Sequence, residues 1–198
     1  MPYTKSGIRL PASPLPMPHG GPVKKRRSLT MGIGALIEPD GSVAWQDDGW
    51  QLNALNDEGE TDTLSVYLAQ SAHLTKYACL INGGTTAPTE TSTMAYLAGA
   101  AGAGETQAPT VGGYNRQQIL NTDWVSDGLI SGDARYSAAE KTFGPATVTW
   151  TATHAGLVTA ATGQAAGSGK FLLFLALSAS TSIASGQSLK YILRWTQA

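Results

Sequence analysis

The clearest alternation of apolar and polar positions is ATVTWTATH at 146–154. Ala146, Val148, Trp150 and Ala152 share one side and four threonines the other, the period-two signature of a half-buried strand ending at His154. The run FLLFLAL at 171–177 is apolar on both parities and short, which predicts a central strand covered on both faces, with a buried helical turn as the alternative. Leu189, Tyr191, Leu193 and Trp195 alternate with Lys190, Ile192 and Arg194, giving a last strand with an aromatic anchor. Near the other end, 30–37 reads as a glycine-bearing apolar strand. Glu38-Pro39-Asp40-Gly41-Ser42 reads as a hairpin turn, and 42–45 as the return strand. Further strands are expected at 50–55 and 63–68, joined by an acidic loop over 56–62. Another is expected at 77–81, ended by Asn82-Gly83-Gly84, a sequence suited to positive φ.

Strands recurring every ten or so residues, with almost no helical period, predict an all-β fold: an antiparallel β-sandwich or jelly roll. Residues 94–101 (MAYLAGAA) suit a short helix that Gly99, Gly102 and Gly104 limit. The rest of 83–113 is mainly Thr, Ala, Gly and Pro. So long a loop is uncommon in a compact domain, so it is expected to be a projecting or partner-contacting loop. The organisation expected is an arm over 1–27 and one sandwich domain over 28–198.

Composition narrows the class. At 198 residues the chain has room for one domain or two small ones, and its 42% hydrophobic and 14% charged residues exclude a disordered or coiled-coil protein. A net charge of -1 gives no global attraction to nucleic acid or an anionic membrane, so neither is an expected partner. The single cysteine, Cys79, rules out an intramolecular disulfide and a multi-thiolate metal site. No signal-peptide pattern or membrane-length apolar run is present, and the expectation is a soluble protein made in a reducing cytoplasm.

Charge is distributed in blocks. Residues 1–27 hold six of the ten prolines and six of the thirteen basic residues with no acid, which predicts an extended arm ordered only by a partner surface. The arm closes on Lys24, Lys25, Arg26 and Arg27, and between Glu38 and Asp62 there follow eight acids with no Lys or Arg. Lys24–Arg27 are therefore candidate assembly residues, and Asp47, Asp48, Asp57, Glu58, Glu60 and Asp62 a candidate acidic partner face whose attraction would weaken with salt. A solvated tail beside a solvated face is the plainer account.

No catalytic constellation emerges. GQAAGSGKF at 163–171 has the Gly-Lys pair of a phosphate-binding loop. However, it carries Gln164 where the leading glycine belongs and Phe171 where Ser or Thr belongs, and a strand follows instead of a helix. His19, His73 and His154 lack metal-ligand spacing to one another or to Cys79. The acid pairs Asp47-Asp48 and Asp57-Glu58 lack calcium-loop spacing. There is no Gly-x-Ser-x-Gly elbow, and Cys79 lies in an apolar strand where a thiol is inert. No cofactor and no metal are expected, and the chain is read as a non-enzyme. Trp45, Trp50, Trp124, Trp150 and Trp195 read most simply as core or interface anchors.

One sequence of features resembles a known family. A short apolar strand at 77–81 leads to a Thr/Pro loop at 85–89 and a Gly113-Tyr114-Asn115-Arg116 step. A strand at 147–158, an apolar strand at 171–177 and a Ser-rich turn at 178–186 follow. In this order, over roughly 64–198, the chain is similar to small virion structural proteins of tailed bacteriophages. The resemblance implies a non-enzymatic virion component, made in the host cytoplasm: a capsid decoration (cement) or head-tail-associated protein anchored by its arm. By analogy it also implies a symmetric homo-oligomer, such as a trimer, contacting other virion proteins. The alternative is a tail fibre or collar module binding a receptor or host-surface glycan. In that case Trp45-Gln-Asp-Asp-Gly-Trp50 would supply the sugar-stacking surface. A tail-associated hydrolase is a third reading that no acid or histidine cluster supports.

Overall fold

The computed structural model describes residues 28–49, 51–59, 61–62, 74–84, 86–99, 104–123, 125–130, 133–137 and 140–197. The arm over 1–27, the strand expected at 63–68, Glu60, Trp50 and Trp124 lie outside the described residues.

Eleven strands are described: β1 (Ser28–Ile37), β2 (Val43–Gln46), β3 (Gln51–Leu55), β4 (Lys76–Ile81), β5 (Gln117–Ile119), β6 (Val125–Ile130), β7 (Asp133–Ser137), β8 (Lys141–Phe143), β9 (Trp150–Val158), β10 (Phe171–Ile183) and β11 (Ser188–Gln197). The helices are short: α1 (Met94–Leu97), a 3-10 turn over Asn121–Asp123, and a helical turn at 57–59 and 61–62. The strands are ordered β5-β4-β9-β10-β3-β1-β11-β7-β6, with β2 added to β1 and β8 to β11. Every pairing is antiparallel.

This array folds on itself at β3. Gln51 and Leu52 pair with Gly32 and Met31 of β1, whereas Asn53, Ala54 and Leu55 pair with Leu175, Phe174 and Leu173 of β10. One strand thus serves two sheets, a device that makes a sandwich corner. The core fills the space between the sheets. Leu36, Phe143, Leu189, Tyr191 and Leu193 come from the first sheet. Leu80, Trp150, Leu157, Leu173, Leu175 and Leu177 come from the second. The all-β sandwich expected from the pattern is the fold observed.

The doubly apolar run at 171–177 begins β10, a central strand between β3 and β9, as its parity predicted. β4 is likewise buried on both faces: Ala78 and Leu80 face the sandwich interior, while Cys79 and Ile81 join Met94, Leu97, Val158 and Phe171 on the outer face.

Two expectations are corrected. The strand expected over 146–154 begins only at Trp150. Ala146 N–H is bonded to the Gln187 carbonyl and Thr147 N–H to that of Gly112, so 146–149 forms part of a loop cluster that leaves Val148 exposed. His154 then lies mid-strand. A register irregularity beside it places Ala152 and Ala155 both in the core and turns His154 to the outer face, edge-on to Phe174. The described residues of 83–113 (83–84, 86–99 and 104–113) pack on the domain rather than projecting as a free loop. Helix α1 buries Met94 and Leu97 against sheet two, and Glu105 bridges Ile81.

The antiparallel order assigns the ends of the sandwich. β1, β10 and β4 start at the end where Ser28 pairs with Gln197, hereafter the base; β2, β9 and β11 start at the opposite end, the tip. The ten paired residues of β1 and β11 separate base from tip by ~33 Å.

Candidate functional site

The Gly113-Tyr114-Asn115-Arg116 step builds a buried polar clamp. Gly113 has φ +80, and a Cβ there would fall 2.4 Å from the Pro145 carbonyl oxygen, so this turn requires glycine. The turn carries Tyr114 and Arg116 inward, both buried. The Arg116 guanidinium donates from Nε to Glu105 Oε1 (2.8 Å) and from Nη2 to Oε2 (2.7 Å), and neither side chain is exposed to solvent. Its Nη1 donates to the Ala160 and Gly163 carbonyls at 2.8 and 2.9 Å. Glu105 also accepts from the Tyr114 hydroxyl (2.7 Å) and Gln164 Nε2 (2.8 Å), and the Tyr114 hydroxyl accepts from Leu80 N–H (2.9 Å).

An ion pair removed from water is costly unless its donors and acceptors are met, and here Glu105 accepts four hydrogen bonds and Arg116 donates four. Burial opposes the charge on Arg116, but its bonds and attraction to Glu105 raise its pKa above the ordinary guanidinium value. Burial, reinforced by Glu105, pushes the Tyr114 phenol well above its usual range, so it remains a proton donor. The clamp joins four segments: the end of β4, the 83–113 excursion, the step itself and the β9–β10 hairpin. The Tyr114, Glu105 and Arg116 side chains are buried and Gln164 is half-buried, so the clamp ties these segments to one another largely out of solvent.

The acids of the candidate partner face are divided. Asp47 is buried: Oδ2 accepts from Gly34 N–H in β1 (2.6 Å) and Oδ1 from Ser178 N–H in β10 (2.7 Å). Its carboxyl pKa is raised by burial against the pull of those two bonds. The Ser178 amide belongs to a bulge, where four residues of β10 (177–180) stand opposite one residue of β9. Asp62 is also buried, with Lys170 Nζ at 3.7 Å. Glu58 is half-buried and accepts from Phe171 N–H (2.7 Å). Asp48 and Asp57 are exposed. Asp47, Glu58 and Asp62 thus make contacts to the fold's own segments. Glu60 and Lys24, Lys25, Arg26 and Arg27 lie outside the described residues.

The remaining candidates have structural settings. Cys79 is fully buried, and burial raises its thiol pKa far above the ordinary value, so the thiolate is suppressed. His154 Nδ1 lies 2.8 Å from Thr153 Oγ1, and burial lowers its pKa. Trp45 is half-buried against the core, with Gly34 beneath its ring. Among the described residues no group of three or more His, Cys, Asp or Glu is placed to hold a metal ion.

Four loops close the tip. Gln187 Nε2 donates to Glu38 Oε1 (2.7 Å), Gly186 N–H to the Ala146 carbonyl (2.8 Å), and Thr147 N–H to the Gly112 carbonyl (2.8 Å). Val43, Val111 and Val148 stand exposed on this end at 40, 48 and 46%. At the base of sheet two, beyond the Lys76–Ile119 pair, Leu74 and Leu120 are exposed at 41 and 49%.

Glu105, Arg116, Tyr114 and Gln164 received no role from sequence reasoning. A signal existed: Glu105 is the one charged residue between Glu90 and Arg116. An isolated acid in a Gly/Ala-rich stretch, followed by a single arginine, marks a pair.

No curated protein and no solved structure gives a significant match to the chain. The family model described as podophage GP4 fiber I protein gp80 matches residues 65–193, about two thirds of the chain. The matched span contains the whole clamp and every strand from β4 through most of β11. With that match, the chain belongs to the podophage fiber I protein gp80 family, and it is a virion protein of a tailed phage.

Proposed function

We propose that the protein is a non-enzymatic structural component of the phage tail, located at the fibres and attached to neighbouring virion proteins through its N-terminal arm. The observation that carries this reading is the match to a fibre protein family across the span organised by the Glu105–Arg116 clamp. The chemistry of the domain agrees with it. Its buried polar groups are spent on joining segments, giving a stiff module suited to bearing load between partners. The fibre reading takes precedence over capsid decoration because the family description names a fibre and no observation favours the capsid surface.

The arm supports attachment through its composition, since a basic, proline-rich segment binds by laying extended backbone and charge along a partner. A glycan-binding role for the Trp45–Trp50 segment is less favoured, because Trp45 packs on the core and Asp47 is occupied by backbone amides.

The test is localisation on particles of the phage that encodes the chain, using gold-labelled antibody against the folded domain. Label at the tail fibres, lost when residues 1–27 are deleted although the domain still folds, supports the proposal. Label over the capsid would overturn the location, and normal incorporation of the deletion would overturn the role of the arm.

A further inference from the structure

Asn82-Gly83 is the sole Asn-Gly pair in the sequence, and it stands where β4 leaves its sheet, one residue past the pairing of Ile81 with His154. The turn is seated on β9. Gly83 N–H donates to Thr153 Oγ1 at 2.7 Å, and that oxygen lies 2.8 Å from His154 Nδ1. The Thr153 hydroxyl has one proton and two acceptors in reach, Nδ1 and the Ile81 carbonyl at 3.3 Å, and the shorter contact is to the ring. A backbone amide, a hydroxyl and an imidazole thus form one continuous chain. Burial lowers the His154 pKa, so the ring is neutral at neutral pH and able to accept a proton. Its neighbours Ile81 of β4, Ala176 and Phe174 of β10, and Gly83 are all uncharged. The electrophile is prepared as well: Asn82 Oδ1 accepts from Gly84 N–H (3.3 Å), which ties the side-chain carbonyl to the turn and draws electron density from Cγ. A Cβ at Gly83 would fall 3.3 Å from His154 Nδ1 and 3.2 Å from Ala87 Cα, so glycine lets the ring close on the turn. Asn82 is half-buried and Gly84 exposed, so water reaches the site.

We propose that Asn82 is a self-modifying site: Thr153 and His154 carry the proton away from the Gly83 amide while its nitrogen closes a succinimide ring on Asn82. The N–H proton passes to Thr153 Oγ1 as the hydroxyl proton passes to His154 Nδ1. The electron pair left on the Gly83 nitrogen forms a bond to Asn82 Cγ. The Cγ–Nδ2 bond then breaks and Nδ2 leaves as ammonia, taking a proton back from the imidazolium, so His154 and Thr153 end unchanged. Water opens the ring by adding to one of its two carbonyls. Attack at Cγ breaks the new bond and gives aspartate; attack at the main-chain carbonyl breaks the original peptide bond and gives isoaspartate. No oxidant, metal or second protein is required. The isoaspartate product lengthens the backbone by a methylene and adds a carboxylate at the end of β4, next to the bridge between Ile81 and Glu105. If the same bonds served only to restrain the turn, the opposite would hold, because an amide kept in place by an acceptor attacks less readily. This inference rests on the Asn82 turn alone, not on where the protein sits in the virion.

The experiment is peptide mass analysis of the folded full chain held at neutral pH over weeks, following loss of ammonia and then gain of water at Asn82, with isoaspartate resolved by chromatography. His154→Phe keeps the Thr153 bond to Gly83 but removes the base, and it is expected to slow the reaction by about tenfold or more. Thr153→Ser keeps the hydroxyl and is expected to react at nearly the wild-type rate. Melting curves confirm that the variants fold. His154→Asn, which keeps a polar atom near the Nδ1 position without a usable base, replaces His154→Phe if that variant does not. The pH profile separates the relay from a steric effect. The part of the rate that His154→Phe loses is expected to rise with pH through the lowered His154 pKa and then level, whereas attack driven by hydroxide keeps rising. A His154 variant that reacts as fast as the wild type or faster overturns the proposal. So does a wild-type Asn82 that stays intact while the urea-unfolded chain converts, or a lost rate that never levels with pH. None of these readouts involves particle incorporation, so this inference and the proposed attachment fail separately.

Discussion

Arg116 grips Glu105 at two points, Nε to Oε1 and Nη2 to Oε2, with both side chains wholly withdrawn from solvent. Removing one member strands the other's charge in the interior, a change that costs about 3–5 kcal/mol. Arg116→Met is therefore expected to lower stability by about that amount in urea denaturation. Glu105→Gln, which keeps shape and some acceptor capacity, should cost less. A double-mutant cycle should show strong coupling between the two positions; additive losses would show that the pair is not coupled in solution.

Tyr114 offers a narrower probe of the same network. Its hydroxyl accepts from Leu80 N–H and donates to Glu105. Tyr114→Phe retains the ring contacts with Phe143 and Trp150 but leaves that amide unmet. A loss of about 1–3 kcal/mol is expected, together with faster hydrogen exchange at the Leu80 amide.

Gly59 has a steric requirement. A Cβ there would fall 1.9 Å from the Leu172 carbonyl oxygen, a backbone atom that cannot swing aside. Gly59→Ala should therefore push the 56–62 segment off β10 and destabilise the protein by about 1–3 kcal/mol. By contrast, Gly41→Asn should be nearly neutral, since nothing lies within 4 Å of its Cβ position and its φ of +86 is one that asparagine tolerates best. Paired melting curves test the contrast.

Stability should depend on pH through His154. Burial lowers its folded-state pKa below the ordinary 6.5, so in the window beneath 6.5 the unfolded chain takes up the proton first. The contribution is complete above that value and is lost as pH falls through the lowered folded-state pKa. Asp47 acts with the opposite sign at more acidic pH, because burial raises its pKa and protonation then favours the folded state. Denaturation midpoints of wild type and His154→Phe between pH 8 and 5 should differ in slope, the variant losing less. Parallel curves would remove His154 as the source.

The sandwich was legible because β11 alternates along its length and β10 opens on a run that is apolar on both parities. The short strands β5 and β8, three residues each, show no period. They exist because β4 and β11 offer them an edge. The alternation at 146–149 is as regular as that after Trp150, yet Gln187 and Gly112 take up its amides first. Asp47 sits in a run of acids and looks like surface. Only the bulge at 177–180, invisible in sequence, turns an amide toward it. Nothing in local pattern links Glu105 to the hairpin at 160–164, because that link is made by an arginine reaching across the fold.

The pairing of Ser28 with Gln197 has a consequence in time. β1, the first strand described, is matched residue for residue with the last, from Ser28–Gln197 through Ile37–Ser188. Contacts so distant along the chain make folding slow and late. The first sheet cannot close until residue 197 has been synthesised, so a truncated chain has no finished sandwich to offer. Without 188–197, β1 would present its backbone as an open sheet edge, the kind that invites pairing with another chain.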